Sequence, residues 1–212
     1  MPRRPRVSPD RILAAAALEF AERGFAGARV DRIARRARVN KAMLYYHFGS
    51  KAMLYRALLR GLFAQAGQRL EAIARSDQPP GAKMDEAILV LAGFLREHAF
   101  FPAIMLREIA EGGAHLDRDT LALMAVLPRT IASIVVDGTE RGVFHNVHPF
   151  FTYVSLVAPI AFYLASAPIR TEVLQHHLRA GGDTTPDAFV AHVQETVRRM
   201  LVRNSADLPR SL

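Results

Sequence analysis

Apolar residues recur at helical spacing along most of the 212-residue chain, and this periodicity limits the fold more than any other feature. The first segment begins at Ser8 and Pro9, a pair that suits a helix start, and Ile12 and Phe20 lie on one of its faces. Gly24 is placed to adopt the left-handed conformation that ends a helix. Runs of alternating apolar and polar residues, typical of β-strands, are not evident in the sequence. The pattern therefore predicts an all-α fold.

Two short helices and one long helix follow the first segment. The short ones are predicted over 30–37 and 41–48, and the long one over 51–75. The stretch SDQPPG at 76–81 breaks the pattern and is a candidate domain boundary, and beyond it the spacing stays helical. Further helices are predicted over 84–99, 102–111, 120–141, 149–165 and 186–203. We divide the chain into a domain of residues 1–51, a helical body of residues 52–204 and a tail of residues 205–212.

Positive charge is concentrated at the start of the chain. Residues 1–51 hold twelve Lys and Arg against four Asp and Glu, which accounts for the whole formal net charge of +8. A concentrated cationic field favours a polyanion such as double-stranded DNA, whereas charge that serves solubility alone is spread more evenly. An arginine-rich arm at residues 3–6 is a further candidate for contact with DNA, although disorder explains it equally well.

Several function classes receive no support from the sequence. Cysteine is absent, so disulfides, thiolate nucleophiles and zinc fingers are excluded. The first residues lack the apolar run of a secretory signal, and a cytoplasmic protein is expected. No nucleotide-binding loop, serine elbow or zinc-protease helix appears. Neither an enzyme nor a bound cofactor or metal is predicted.

The two short helices in the basic region suggest a helix-turn-helix, in which the second helix faces base edges in the major groove. The stretch RVNKAMLYYHFGSK at 38–51 resembles the signature of the TetR family of bacterial transcriptional regulators, and the resemblance covers about residues 8–56. It implies a three-helix DNA-binding domain, joined by the long helix to a larger helical domain for ligand binding and dimerisation. Arg29 is a further candidate for contact with the DNA backbone. The resemblance places DNA contacts at Asn40, Lys41, Ala42, Tyr45, Tyr46, His47 and Lys51.

Two residues depart from the family pattern. Arg38 stands where members usually have glycine in the turn, and Arg29 stands where they usually have a Ser or Thr cap. A non-glycine residue in a left-handed conformation costs about 1–2 kcal/mol, and a lost cap costs about 1 kcal/mol. Alternatives remain open for three contacts: either Tyr45 or Tyr46 closes the small core, and His47 is similarly ambiguous.

The helical body is expected to form the dimer interface, because one recognition helix reads only a few base pairs. Four helices, two from each subunit, would pack together, as they do in the family. The uncharged stretch 150–169 is also long enough to span a bilayer, but it contains Pro159 and several hydroxyl groups, so a buried interface helix is favoured and no membrane partner is predicted. The predicted interface residues are Phe150, Val154, Val157, Ala158, Ala161, Phe189, Val193, Val197 and Met200.

The first helices of the body are expected to enclose a pocket for a small apolar effector. Ordinary core packing is the competing explanation for its aromatic residues. Glu108, Glu111 and His115 have the chemistry to bind a metal, although their spacing matches no known site. His176 and His177 are predicted in a loop. The predicted pocket residues are Phe94, His98, Phe101, Met105, Glu108, Met124 and Phe162.

The leading hypothesis is a repressor that binds a palindromic operator as a homodimer and is released by the effector. The alternative is a non-specific architectural DNA-binding protein with no effector.

Overall fold

The computed structural model describes residues 8–177 and 182–202, and within those residues the chain is helical with no β-strand. The predicted all-α fold is confirmed. The arginine-rich arm at 3–6 and the tail at 205–212 lie outside the described residues. The helices are α1 (Pro9–Gly27), α2 (Val30–Arg36), α3 (Lys41–Phe48), α4 (Lys51–Ala74), α5 (Pro80–Glu97), α6 (Phe101–Ala110), α7 (Arg118–Met124), α8 (Val126–Glu140), α9 (Pro149–Ala165), α10 (Ala167–His176) and α11 (Pro186–Leu201).

The predicted start of the first helix is confirmed, whereas Gly24, its predicted end, is a kink inside α1. The Ser8 side chain accepts a hydrogen bond from the Asp10 N–H at 3.2 Å, and Pro9 occupies the first turn. Gly24 has φ +66°, which interrupts the helical backbone three residues before the assigned end of α1. This conformation favours glycine because a Cβ in the left-handed region meets the following carbonyl oxygen.

The helices pack into two units, each with its own core. The first comprises residues up to Ala64 together with Phe100–Leu123, and the second comprises Gln65–Ala99 together with the residues from Met124 onward. The fully buried residues of the first unit include Ile12, Phe20, Ile33, Leu44 and Leu54, while Ile88, Phe94, Ile131, Phe144 and Ile160 are buried in the second.

Close packing in the second unit depends on one glycine. A Cβ built on Gly138 of α8 would lie 2.1 Å from the ring of Phe144, which is fully buried. The backbone beyond that ring is held by the His145 N–H, which donates to the Leu201 carbonyl at 2.7 Å. The end of α11 is thereby attached to the loop that follows α8.

Three predictions differ from the structure, and one helix was not predicted. The helix expected over 120–141 is divided at Ala125 into α7 and α8. Helix α10 was not predicted; none of its residues is buried, so it lacks the apolar face that periodicity detects. His176 ends this helix, so its assignment to a loop was wrong. The first four residues of SDQPPG, 76–79, lie between α4 and α5, and the last two begin α5; the stretch is inside the second unit and is not a boundary between units.

Long apolar helical segments are present. By length and composition alone, the helical run Arg118–Glu140 is sufficient to cross a membrane. The α9–α10 pair meets the same test only as one broken span, because the two helices are bent by 69° at Ser166. The stretch 150–169 is therefore not a single straight helix.

Candidate nucleic-acid interface and effector-binding residues

Helices α2 and α3 are joined by a turn that contains the unusual residue of the motif. Arg38 has φ +54°, the one positive φ outside glycine in residues 8–177 and 182–202. The following Val39 N–H donates to the Ala34 carbonyl at 2.9 Å, which closes the end of α2. Ile33 and Leu44 are fully buried in the core of the first unit. The left-handed backbone expected at Arg38 is thus present, and the buried residues on either side stabilise the turn despite its strain.

A buried carboxylate takes the place of the missing helix cap. Arg29 precedes α2 without any side-chain cap, as the sequence predicts. Its N–H instead donates to Glu19 Oε1 of α1 at 3.2 Å, and Arg32 Nε forms an ion pair with the same oxygen at 2.8 Å. Glu19 is only 3% exposed. The role of Glu19 was not predicted from the sequence. Its position on the apolar face of α1, three residues after Ala16, could have indicated a buried carboxylate.

The predicted contact residues of α3 form its exposed face. Lys41, Ala42, Tyr45, Tyr46 and His47 are all exposed, with Tyr45 at 42% and Tyr46 at 83%. The alternative that one tyrosine closes the core is therefore wrong. This face presents hydroxyl groups, a methyl group, an imidazole and an ammonium group, which are the chemistries that contact phosphates and base edges.

Two residues at the start of α3 have local partners. Asn40 Oδ1 accepts the Met43 N–H at 2.7 Å and caps the helix. Lys41 Nζ lies 2.9 Å from Asp31 Oδ1, and this hydrogen bond and charge raise the pKa of Lys41. Both side chains are exposed, so neither contact buries them.

Lys51, a predicted phosphate contact, binds backbone carbonyls. Its Nζ donates to the carbonyl oxygens of Phe25 at 2.9 Å and Ala28 at 3.2 Å, and lies 4.6 Å from the centre of the Phe25 ring. An ammonium group in this place neutralises the free carbonyls at the end of α1. In this structure Lys51 joins α4 to α1, a role that sequence reasoning did not assign.

The predicted pocket residues are divided between the two units. Phe101, Met105 and Glu108 belong to the first unit, where Phe101 and Glu108 are buried. Phe94 and His98 belong to the second, where Phe94 is 1% exposed and its ring lies 4.6 Å from the imidazole of His98. The last two residues also belong to the second unit. Met124 is half-buried, whereas Phe162, on α9, is 65% exposed.

The second unit has cavities that sequence reasoning did not single out. One of about 270 Å³ is lined by residues of α4 and α8 together with Arg75. Another, of about 150 Å³, is a groove between α9 and α11 with a mainly apolar lining. The lining residues of the first are Glu71, Ala74, Arg75, Val126, Arg129, Thr130 and Ser133.

The predicted interface residues separate into outward and inward sets. Phe150, Val154 and Ala158 of α9 are exposed. Val193 and Val197 of α11 are only 4% and 2% exposed, because they pack inside their own unit, so they were wrong as surface contacts of a dimer. The half-buried residues of the predicted set are Val157, Ala161, Phe189 and Met200.

Helix α9 nevertheless carries an exposed apolar stripe. Phe151, Val154, Ala158 and Phe162 recur at helical spacing and are all exposed. The two phenylalanines are 64% and 65% exposed. An exposed stripe of large residues on either side of a small one suits close packing against another helix.

Comparison with known proteins gives consistent findings. Residues 12–58 match the model of bacterial regulatory proteins, tetR family. The chain is 29% identical over 202 residues to the HTH-type transcriptional repressor SCO4008 of Streptomyces coelicolor, covering 95% of this chain and 98% of the relative. It is 30% identical over 140 residues to the repressor NicS of Pseudomonas putida, covering 65% and 66%.

Solved structures share the fold at low sequence identity. A regulator FadR from Bacillus halodurans has a TM-score of 0.74 at 14% identity, with 93% of this chain and 97% of that one covered. FadR from Bacillus subtilis, in complex with stearoyl-CoA, has a TM-score of 0.73 at 15% identity, with 91% and 99% covered.

Proposed function

Since this chain belongs to the TetR family of bacterial transcriptional regulators, we propose that it is a homodimeric repressor that binds a palindromic operator in the cytoplasm and is released by a small apolar effector. The observation that carries the DNA-binding part is the exposed face of α3, set on a buried Leu44 within the most basic part of the chain. The domain division at residue 51, with the remaining body serving the effector and the dimer, is part of the same proposal.

Operator binding by α3 is tested by selecting bound sequences from random duplexes. We expect an enriched palindrome with half-site centres about 34 Å apart, one turn of DNA. Tyr45→Phe removes one hydroxyl and keeps the ring, so a base contact through that hydroxyl would alter the preferred sequence. Lys41→Met removes one charge and is expected to weaken binding to all duplexes similarly. Selection that enriches no sequence would instead support the architectural alternative.

Dimerisation is proposed to occur through the α9 stripe defined above. A second copy of the chain is the proposed occupant, because a two-fold pair of recognition helices is what a palindrome requires. Phe162→Glu places a charge on the stripe and is expected to give monomers in analytical ultracentrifugation. Leu89→Glu is the control, since Leu89 is 52% exposed on α5 and lies outside the stripe. An unchanged dimer in the Phe162 variant would refute this interface.

The effector is proposed to be small and apolar, bound within one unit by the predicted lining residues that this unit contains. The stearoyl-CoA held by the structurally similar FadR makes acyl chains the first probes. Fatty acids and acyl-CoAs of stepped length are added to the protein bound to its selected operator, and fluorescence anisotropy follows release. Met105→Phe fills space at a predicted lining position of the first unit, and Met124→Phe does so in the second. The variant at the position that lines the site is expected to weaken release without weakening operator binding.

A further inference from the structure

Three ligand atoms meet at the end of α6, within the first unit. His115 Nδ1 lies 3.1 Å from Glu108 Oε2 and 3.3 Å from Glu111 Oε2, and the three ligand atoms lie within 4.8 Å of one another. Glu111 and His115 are four residues apart, and Glu108 precedes Glu111 by one helical turn. The backbone therefore brings all three side chains to one side of the α6 terminus.

The innermost carboxylate is buried and held in place by donors. Glu108 is 1% exposed. Its Oε2 accepts the Tyr55 hydroxyl at 2.8 Å, and its Oε1 accepts the His115 N–H at 2.8 Å. Hydrogen bonds that fix a carboxylate in this way are typical of the groups that orient metal ligands.

We propose that Glu108, Glu111 and His115 form a Zn²⁺ site, with the fourth position open to water. Zinc takes imidazole and carboxylate ligands at about 2.0–2.2 Å in a tetrahedron, which separates neighbouring donor atoms by about 3.3–3.6 Å. Two of the three separations, 3.1 Å and 3.3 Å, are close to that range, and all three ligand atoms lie within 4.8 Å of one another. The Glu111 side chain is 43% exposed, so it provides the entry path and can move to complete the site.

The position of the site gives it a structural consequence in the DNA-binding unit. The ring centroid of His115 lies 4.0 Å from that of Phe25, near the end of α1. The Phe25 carbonyl oxygen in turn accepts a hydrogen bond from the Lys51 ammonium group. A metal bound by His115 therefore restrains the α6–α7 loop against the helix that supports α2 and α3.

Zinc binding is tested on the full-length chain after treatment with a chelator, using Zn²⁺ alone as the probe. Isothermal titration and competition with a chromophoric chelator are expected to show one zinc per chain. Glu111→Gln is the informative variant, because it removes a ligand and leaves the hydrogen bonds of Glu108 intact. We expect at least about a tenfold loss of zinc affinity and a smaller zinc-dependent rise in melting temperature.

A matched control lies in α10. Glu172 and His176 have the same four-residue spacing, with Glu172 Oε1 3.8 Å from His176 Nε2, but they lack the buried carboxylate. Glu172→Gln is expected to leave zinc affinity unchanged. The proposal is overturned if the chain shows no saturable binding, if Glu111→Gln binds as tightly as the parent, or if binding is lost in Glu172→Gln. A cobalt-loaded chain with only the weak absorption of a six-coordinate ion would equally overturn the tetrahedral assignment.

Discussion

Replacing Arg38 by glycine is expected to stabilise the protein, because this residue holds the turn between α2 and α3 at φ +54°. The left-handed conformation costs a non-glycine residue about 1–2 kcal/mol. Glycine removes that cost but gains unfolded-state entropy worth about 0.5–1 kcal/mol. The net increase in the free energy of unfolding is about 1 kcal/mol. With a urea dependence of about 1–3 kcal/mol per molar, the midpoint should rise by about 0.3–1 M.

Arg38→Ala is the matched variant for this prediction. It removes the same charge as Arg38→Gly but keeps a Cβ, so it relieves no backbone strain. Urea unfolding followed by far-ultraviolet circular dichroism compares the two directly, since the chain has no tryptophan to report by fluorescence. Both variants should bind operator equally, because each lacks the guanidinium group. Equal midpoints for the glycine and alanine variants would refute the strain argument.

Three further predictions concern stability. Glu19→Met leaves the Arg29 N–H, at the start of α2, without its buried acceptor. The free energy of unfolding should fall by about 1–3 kcal/mol, and an unchanged unfolding midpoint would show that Glu19 does not stabilise the start of α2. Gly138→Ala drives a methyl group into the ring of Phe144 and should cost about 1–3 kcal/mol, whereas Gly93→Ala, with no atom within 4 Å, should gain about 0.5–1 kcal/mol in the same assay. Hydrogen bonds from Thr120 lower the pKa of Asp117 from 3.8 to about 2. The ionised carboxylate therefore stabilises the folded state above pH 3.8, and this contribution is lost as the pH falls through about 2. Asp117→Asn should lower the melting temperature at pH 7, and the decrease should become smaller as the pH falls over that range.

The features that sequence could predict depend on residues close together in the chain. The Asn40 cap accepts an N–H three residues away, and Gly24 and Arg38 set the backbone at their own positions. Turn and cap chemistry is local, so one sequence is enough to reveal it. The complete match at α9, predicted and found over 149–165, has the same origin in a proline start and an apolar stretch.

The features that sequence could not predict depend on distant partners. Glu19 meets the N–H of Arg29 ten residues later, and Lys51 meets the carbonyl of Phe25 twenty-six residues earlier. From the sequence alone, a charged residue at either position is equally consistent with a solvated surface, because its partner is brought close only by the tertiary structure. The apolar stripe of α11 shows the same limit: periodicity identifies a covered face, but Val193 is covered by its own subunit.

The arrangement of α3 separates the residues that would read DNA from those that hold the helix. Leu44 is fully buried and Asn40 caps the first turn, whereas Ala42, Tyr45 and Tyr46 are exposed. Substitutions at exposed helix positions usually change stability by less than about 0.5 kcal/mol, while truncating a buried leucine costs about 2–5 kcal/mol. Changes at the three exposed positions are therefore free to alter operator preference without unfolding the domain. A relative with different residues at these positions and the same core is expected to keep the fold and bind another operator.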